Sequence, residues 1–156
     1  MGLDQYLYAR NYLTGGEWQD QEKQDAYAKI AEALDTGRFE NKEYPSISVE
    51  VKVGYWRKAN QIHNWFVNNV QDGEDDCREY YVDREQLVEL LELCKTVKDG
   101  GEKVAEEELP PTLGFFYGSI EIDEWYWEQI DDTIKQLERV LTEVPEDWSF
   151  AYDSSW

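Results

Sequence analysis

The chain has 156 residues, with 35 Asp and Glu against 15 Lys and Arg, which gives a formal net charge of −20. This charge argues against direct binding to nucleic acid, because phosphate contacts need a basic surface, and it argues against binding to anionic membranes. Aromatic residues make up 15% of the chain, including 7 Trp and 11 Tyr, and a disordered acidic tail would lack them. We therefore expect a folded protein.

The first third of the chain predicts two strands and a helix between them. Side chains alternate over residues 3–13, which are rich in Tyr, and this pattern favours a strand. Residues 20–34 have apolar side chains at helical spacing, and we expect this helix to end with Gly37 at its C′ position. Apolar and polar residues alternate most clearly over residues 47–53, so a second strand is predicted there, with Gly54 closing it.

The middle of the chain predicts helices separated by one short strand. A helix is expected over about residues 58–70, followed by a polar loop and a strand at residues 79–82. Asp83 is the expected N-cap of an amphipathic helix whose apolar stripe runs over residues 86–97 and which ends at residues 99–101. Residues 102–108 are acidic and predicted to be mobile or helical. The Pro-Pro pair at residues 110–111 stops any helix soon after them.

The last part of the chain predicts one long helix and a final strand. Residues 114–119 are aromatic and favour a buried turn or a short strand. An apolar stripe predicts a helix over about residues 123–141, and alternation over residues 148–153 predicts a strand. Together these patterns predict one α+β domain over residues 1–156, with about four helices packed on a small, mainly antiparallel sheet.

Neither the cysteines nor the acidic loop predicts a cofactor or a metal site. Cys77 and Cys94 do not form a CxxC pair, so we expect reduced thiols in a cytoplasmic protein. Residues 72–76 have the residue types of a calcium loop but lack the EF-hand spacing, which favours a solvated acidic turn. No apolar run is long enough to span a membrane.

Residues 55–66 form the segment richest in residue types that bind ligands. It contains the only His and follows the clearest strand directly, at a strand-to-helix junction where ligands often bind. The predicted ligand-binding residues are Trp56, Arg57, Asn60, His63 and Trp65. The alternative is that the aromatic residues are core and that Arg57 and His63 pair with carboxylates. A thiol–imidazole dyad of His63 with Cys77 has no supporting motif, so we do not expect an enzyme.

The predicted helix near the C-terminus carries a row of acidic residues. Residues 101–156 hold 15 acids and 3 bases, which is most of the excess charge. Four residues of a helix rise about 6 Å, so carboxylates at this spacing along one face resemble a row of phosphates. An ordinary solvated helix face is the alternative. The predicted partner-binding residues are Glu121, Glu124, Glu128, Asp131, Asp132 and Glu138, with Trp125 as an aromatic anchor.

Three motifs resemble those of a family of small, acidic proteins of phages and prophages. They are M-G-L-D-x-Y-L-Y at residues 1–8, Y-W-R-K-A-N-x-I-H-x-W-F at residues 55–66, and G-F-F-x-G-S at residues 114–119, before an acidic aromatic helix. The resemblance implies a phage protein in the bacterial host cytoplasm, but no established activity. By analogy we predict an accessory protein that inhibits a host defence or nucleic-acid-handling protein by binding its basic surface, as an acidic nucleic-acid mimic. The alternative is a protein that binds or sequesters an anionic, nucleotide-like small molecule; oligomer formation is left open.

Overall fold

A four-stranded antiparallel sheet and five α-helices make up the residues that the computed structural model describes, 2–156. The α+β class is therefore confirmed, with one helix more than the sequence predicts. The strands are β1 (Asp4–Thr14), β2 (Ser46–Arg57), β3 (Tyr80–Val82) and β4 (Ser149–Ser155), and the helices are α1 (Gln21–Leu34), α2 (Asn60–Asn69), α3 (Arg84–Gly100), α4 (Glu102–Glu108) and α5 (Glu124–Glu143). The strand order is β2-β1-β4-β3.

The chain forms two compact units. The larger comprises Met1–Ala9 and Lys52–Trp156 and holds the main hydrophobic core, in which α3 packs against both α4 and α5. The smaller comprises Arg10–Val51, where Tyr27 is buried and its hydroxyl donates a hydrogen bond to Glu40. The single domain stays a prediction. No helix within residues 2–156 combines the length and apolarity that a membrane span requires.

The inner strands β1 and β4 supply most of the buried strand residues. In β1 the predicted alternation is confirmed, because Gln5, Leu7 and Ala9 are buried. In β4 the consecutive residues 150–152 are all buried, which an alternating strand with one solvated face would not show. Antiparallel pairing of β4 with β3 places Phe150 opposite Val82. Both faces of β4 are therefore covered.

The prediction that Gly54 ends the second strand is wrong. Strand β2 continues through Gly54 to Arg57, and α2 begins at Asn60 rather than at Lys58. A Cβ atom at Gly54 would lie 3.1 Å from Cβ of Leu7, so this glycine allows close packing inside the strand. Lys58 adopts a left-handed conformation, with φ of 56°, and this turns the chain from strand to helix.

The helix ends follow their capping residues. The side chain of Asp20 accepts a hydrogen bond from the amide of Lys23 at the start of α1, and Asp83 forms the predicted cap of α3 as part of a capping box. At the end of α1 it is Asp35, with φ of 52°, that takes the left-handed conformation predicted for Gly37. An Asp side chain tolerates this conformation better than most residues do.

The aromatic segment at residues 114–119 is a turn, so the alternative of a short strand is wrong. Burial is also limited to Tyr117, because Phe115 and Phe116 are exposed. Residues 102–108 form α4, which settles the prediction that they are mobile or helical.

Candidate functional site

The five residues predicted to form one ligand pocket are divided among different surroundings. Trp56 is buried, and its indole nitrogen donates to the hydroxyl of Thr133 at 2.9 Å. Arg57 is exposed at the end of β2, and its guanidinium lies 3.3 Å from Asp4. Trp65 is buried in the core, where its ring packs at a right angle against Phe66. Of the five, Trp56 and Arg57 line the same cavity.

Asn60 fixes the segment that precedes α5. Its side-chain nitrogen donates to the backbone oxygens of Tyr117, at 3.2 Å, and Ser119, at 2.9 Å. Its side-chain oxygen accepts from the backbone amide of Thr112 at 2.9 Å. Asn60 is buried and its polar atoms are satisfied within the chain, so its role is positional.

His63 is the centre of a buried polar network. Its Nδ1 lies 2.7 Å from the hydroxyl of Tyr152, and its Nε2 lies 3.0 Å from a carboxylate oxygen of Asp75. The Tyr152 hydroxyl also lies 3.2 Å from the side-chain oxygen of Gln5 on β1. Burial lowers the pKa of His63 below its ordinary value, and the Asp75 carboxylate partly opposes this shift. The neutral ring fits its surroundings when Nε2–H donates to Asp75 and Nδ1 accepts from Tyr152.

Asp75 gathers three hydrogen-bond donors around one carboxylate. Besides His63, the hydroxyl of Tyr117 and the indole nitrogen of Trp156, at 3.0 Å, donate to it. Burial by itself would raise the pKa of Asp75, but the hydrogen bond from Tyr117 and the contacts with His63 and Trp156 outweigh burial and lower it. Burial and the Asp75 carboxylate raise the pKa of Tyr117. The carboxylate therefore stays ionised at neutral pH.

Sequence reasoning missed Asp75 as a partner of His63. The loop at residues 72–76 has the composition of a solvated acidic turn, and nothing in the spacing indicates which of its acids points inward. The dyad with Cys77 is not formed, because both ring nitrogens of His63 already have other partners. The contact between His63 and Asp75 orders the loop at residues 72–76.

A groove of about 460 Å³ lies over the His63 network. Phe115, Leu113 and Trp156 contribute to its walls, and His63 and Asp75 lie among its lining residues. Among residues 2–156, no Lys or Arg contributes to this lining. Among residues 2–156, no three His, Cys, Asp or Glu side chains form a group suited to hold a metal ion.

A smaller pocket of about 250 Å³ combines residues of both predicted sites. We call it the β2–α5 pocket. Its lining includes Tyr55, Trp56 and Arg57 from β2 and Trp125, Glu128 and Asp132 from α5. The ligand-binding and partner-binding residues predicted from separate parts of the sequence thus meet at one place.

The acidic row on α5 lies opposite the buried side of the helix, as its spacing predicts. Two members are paired with α3, since Asp131 forms a salt bridge with Lys98 and the Glu138 carboxylate lies 3.2 Å from Lys95. Glu124 and Glu128 are exposed and form no salt bridge within residues 2–156. The charge of the row is therefore concentrated toward the N-terminal half of α5.

Further carboxylates lie beside the start of α5. A groove of about 580 Å³ is lined by Glu102 and Glu106 of α4 and by Glu121 and Asp123. No Lys or Arg lines it, and none of these four carboxylates forms a salt bridge in the described part of the chain. The predicted residue Glu121 thus lies in an acidic groove that continues in sequence into the α5 row.

Comparison of this chain with protein-family models, curated proteins and solved structures finds no match in any of the three.

Proposed function

We propose that this protein binds a partner protein whose basic surface ordinarily contacts nucleic acid, and that it inhibits that partner by occupying the surface. The observation that carries the proposal is a set of exposed carboxylates without salt bridges within residues 2–156, which we call the acidic surface. It consists of Glu102, Glu106, Glu121, Asp123, Glu124 and Glu128.

Charge supports this proposal more strongly than shape does. The 15 acids in residues 101–156 are opposed by 3 bases, so a positively charged surface would be attracted over distances beyond direct contact. Glu124 and Glu128 are one helical turn apart, which spaces their carboxylates by about 6 Å along the axis. Such a row imitates the repeated negative charge of a nucleic-acid backbone without its bases.

The resemblance to phage and prophage proteins suggests the class of partner. A phage protein meets host defence and nucleic-acid-handling proteins in the bacterial cytoplasm, and these carry basic surfaces. We infer that one of them is the target.

The alternative of a pocket for an anionic, nucleotide-like ligand has less support. The β2–α5 pocket contains Arg57, but that guanidinium already faces Asp4. Glu128 and Asp132 line the same pocket and would repel a phosphate. His63, Asn60 and Trp65 lie elsewhere with their own partners.

Charge reversal on the acidic surface tests the proposal. The test variant carries Glu106→Lys, Glu121→Lys and Glu124→Lys. The control carries Glu22→Lys, Glu32→Lys and Glu43→Lys, which are exposed residues of the smaller unit and give the same net charge.

Each protein is immobilised and used to capture bacterial proteins at low and high salt. We expect wild type and control to retain a nucleic-acid-binding protein at low salt, to release it at high salt, and to release it when duplex DNA is added. The test variant is expected to capture less than about a tenth as much. Equal capture by the test and control variants, or a captured protein that DNA does not displace, would overturn the proposal.

A further inference from the structure

The β2–α5 pocket has walls suited to a planar cation. Trp125 is 52% exposed and Tyr55 is 42% exposed, and Trp56 also lines the pocket although it is only 3% exposed. Glu128 and Asp132 follow each other by one turn of α5 on the same lining. A cavity of about 250 Å³ that combines aromatic faces with two carboxylates favours a ligand with a flat, positively charged group.

The carboxylates of this pocket are not neutralised by its own arginine. The guanidinium of Arg57 lies 3.3 Å from Asp4 on β1, and the Tyr55 hydroxyl bonds to that same carboxylate. Asp132 accepts a hydrogen bond from the neutral amide of Gln136 at 2.7 Å, and within residues 2–156 Glu128 has no ion-pair partner. Two negative charges therefore remain available to a ligand.

Arginine satisfies these features better than lysine does. A guanidinium is planar, stacks on indole rings and offers its donors in a fork that matches carboxylates. A lysine ammonium is a compact and strongly hydrated charge that gains less from an aromatic wall. Exposed tryptophans are also frequent anchors in protein interfaces.

We propose that the β2–α5 pocket binds an arginine side chain of the partner protein. This inference rests on the proposed function, because Glu128 belongs to the acidic surface. It adds that binding depends on one aromatic-walled pocket that prefers arginine, in addition to net charge.

The test compares nona-arginine and nona-lysine peptides as probes, by isothermal titration calorimetry at two salt concentrations. The peptides carry the same charge, so the part of any arginine preference that depends on Trp125 reports the pocket rather than net charge or carboxylate pairing. We expect wild type to bind nona-arginine about fivefold more tightly, as one cation–π contact at a partly exposed site provides. Trp125→Ala is expected to reduce this preference to less than about twofold and to leave nona-lysine binding almost unchanged.

Two matched controls separate the pocket from the rest of the surface. Trp18→Ala removes an indole that is 77% exposed in the smaller unit and is expected to keep the preference. Glu128→Gln with Asp132→Asn is expected to weaken nona-arginine binding several-fold more than Glu85→Gln with Glu89→Gln, which removes two exposed acids at the same spacing on α3.

The possible results distinguish the two proposals. Salt-dependent binding of both peptides with equal affinity, or an arginine preference that survives Trp125→Ala, would overturn the arginine pocket and leave the proposed function standing. Failure of both peptides to bind at low salt would overturn both.

Discussion

The side-chain amide of Gln136 on α5 forms both of the hydrogen bonds that a neighbouring strand would form with Tyr55 on β2. Its nitrogen donates to the backbone oxygen of Tyr55 at 2.9 Å, and its oxygen accepts from the backbone amide of Tyr55 at 2.9 Å. Since β2 is an outer strand of the sheet, these groups would otherwise be open. Arg139 donates to the backbone oxygen of Val53 in the same way. Helix α5 therefore closes this part of the sheet edge.

Replacement of Gln136 tests how much this edge contact stabilises the fold. Gln136→Ala removes the two hydrogen bonds to Tyr55 and the exposed one to Asp132, and leaves both backbone groups of Tyr55 to water, so we expect the free energy of unfolding to fall by about 1–2 kcal/mol. Urea denaturation measures the change. Lys135→Ala, an exposed neighbour on α5, is the control and is expected to change stability by less than about 0.5 kcal/mol. Equal effects of the two substitutions would mean that the edge contact is not stabilising.

Gly54 is expected to tolerate no side chain. A Cβ atom there would lie 3.1 Å from Cβ of Leu7 and 3.2 Å from the ring of Trp56, so Gly54→Ala should lower the free energy of unfolding by about 1–3 kcal/mol. Gly37→Ala is the matched control, because nothing lies within 4 Å of a Cβ atom at that position. Thermal unfolding of the two variants compares them directly. If Gly54→Ala is as stable as Gly37→Ala, the close packing inferred at this position is wrong.

Asn60 is expected to hold residues 112–119 in place. Asn60→Ala removes the partners of three backbone groups, those of Thr112, Tyr117 and Ser119, and should lower the free energy of unfolding by about 2–4 kcal/mol. Relative to wild type, the variant should show a larger increase in hydrogen-exchange rate at residues 112–119 than in α3. Asn68→Ala, an exposed substitution later in α2, is expected to change neither quantity appreciably. Unchanged exchange at residues 112–119 in Asn60→Ala would contradict the positional role.

The parts of the fold that follow local patterns were predictable from the sequence. The alternation in β1, the cap Asp83 and the acidic row of α5 each depend on residues close in sequence. Gly54 was misread because its role depends on Leu7, which is 47 residues away along the chain and packs against it only in the folded sheet. Local turn propensity gave no information about that contact.

The candidate sites show the same difference between features set by local sequence and contacts made only in the folded chain. Glu128 was predicted from helical spacing and Trp125 as an aromatic anchor, but their proximity to Trp56 depends on how α5 packs along β2. Likewise, the pairing of His63 with Asp75 requires a loop conformation that composition alone does not specify. The sequence can therefore indicate which residues carry chemistry before it can indicate which of them meet.

The single histidine of the chain makes the buried network directly observable. Because burial lowers its pKa, the ring resonance of His63 should titrate below the ordinary value of 6.5 in a two-dimensional NMR experiment, and its nitrogen shifts should show the Nε2–H tautomer. The resonance needs no mutagenesis to assign. A midpoint at or above 6.5 would show that the Asp75 carboxylate outweighs burial.

The same shift predicts how stability depends on pH. A folded-state pKa below the unfolded value means that the unfolded chain binds more protons, so the stability that His63 contributes is present above pH 6.5 and is lost as pH falls through its folded pKa. The loss has a slope of at most about 1.4 kcal/mol per pH unit for one proton. The lowered pKa of Asp75 acts in the same direction, but only below its ordinary value of 3.8. Urea denaturation between pH 8 and 5, a range above the titration of Asp75, isolates the histidine. The free energy of unfolding of wild type should decline as the pH falls over this range, and that of His63→Gln should not. An equal decline in both proteins would assign the effect to other groups.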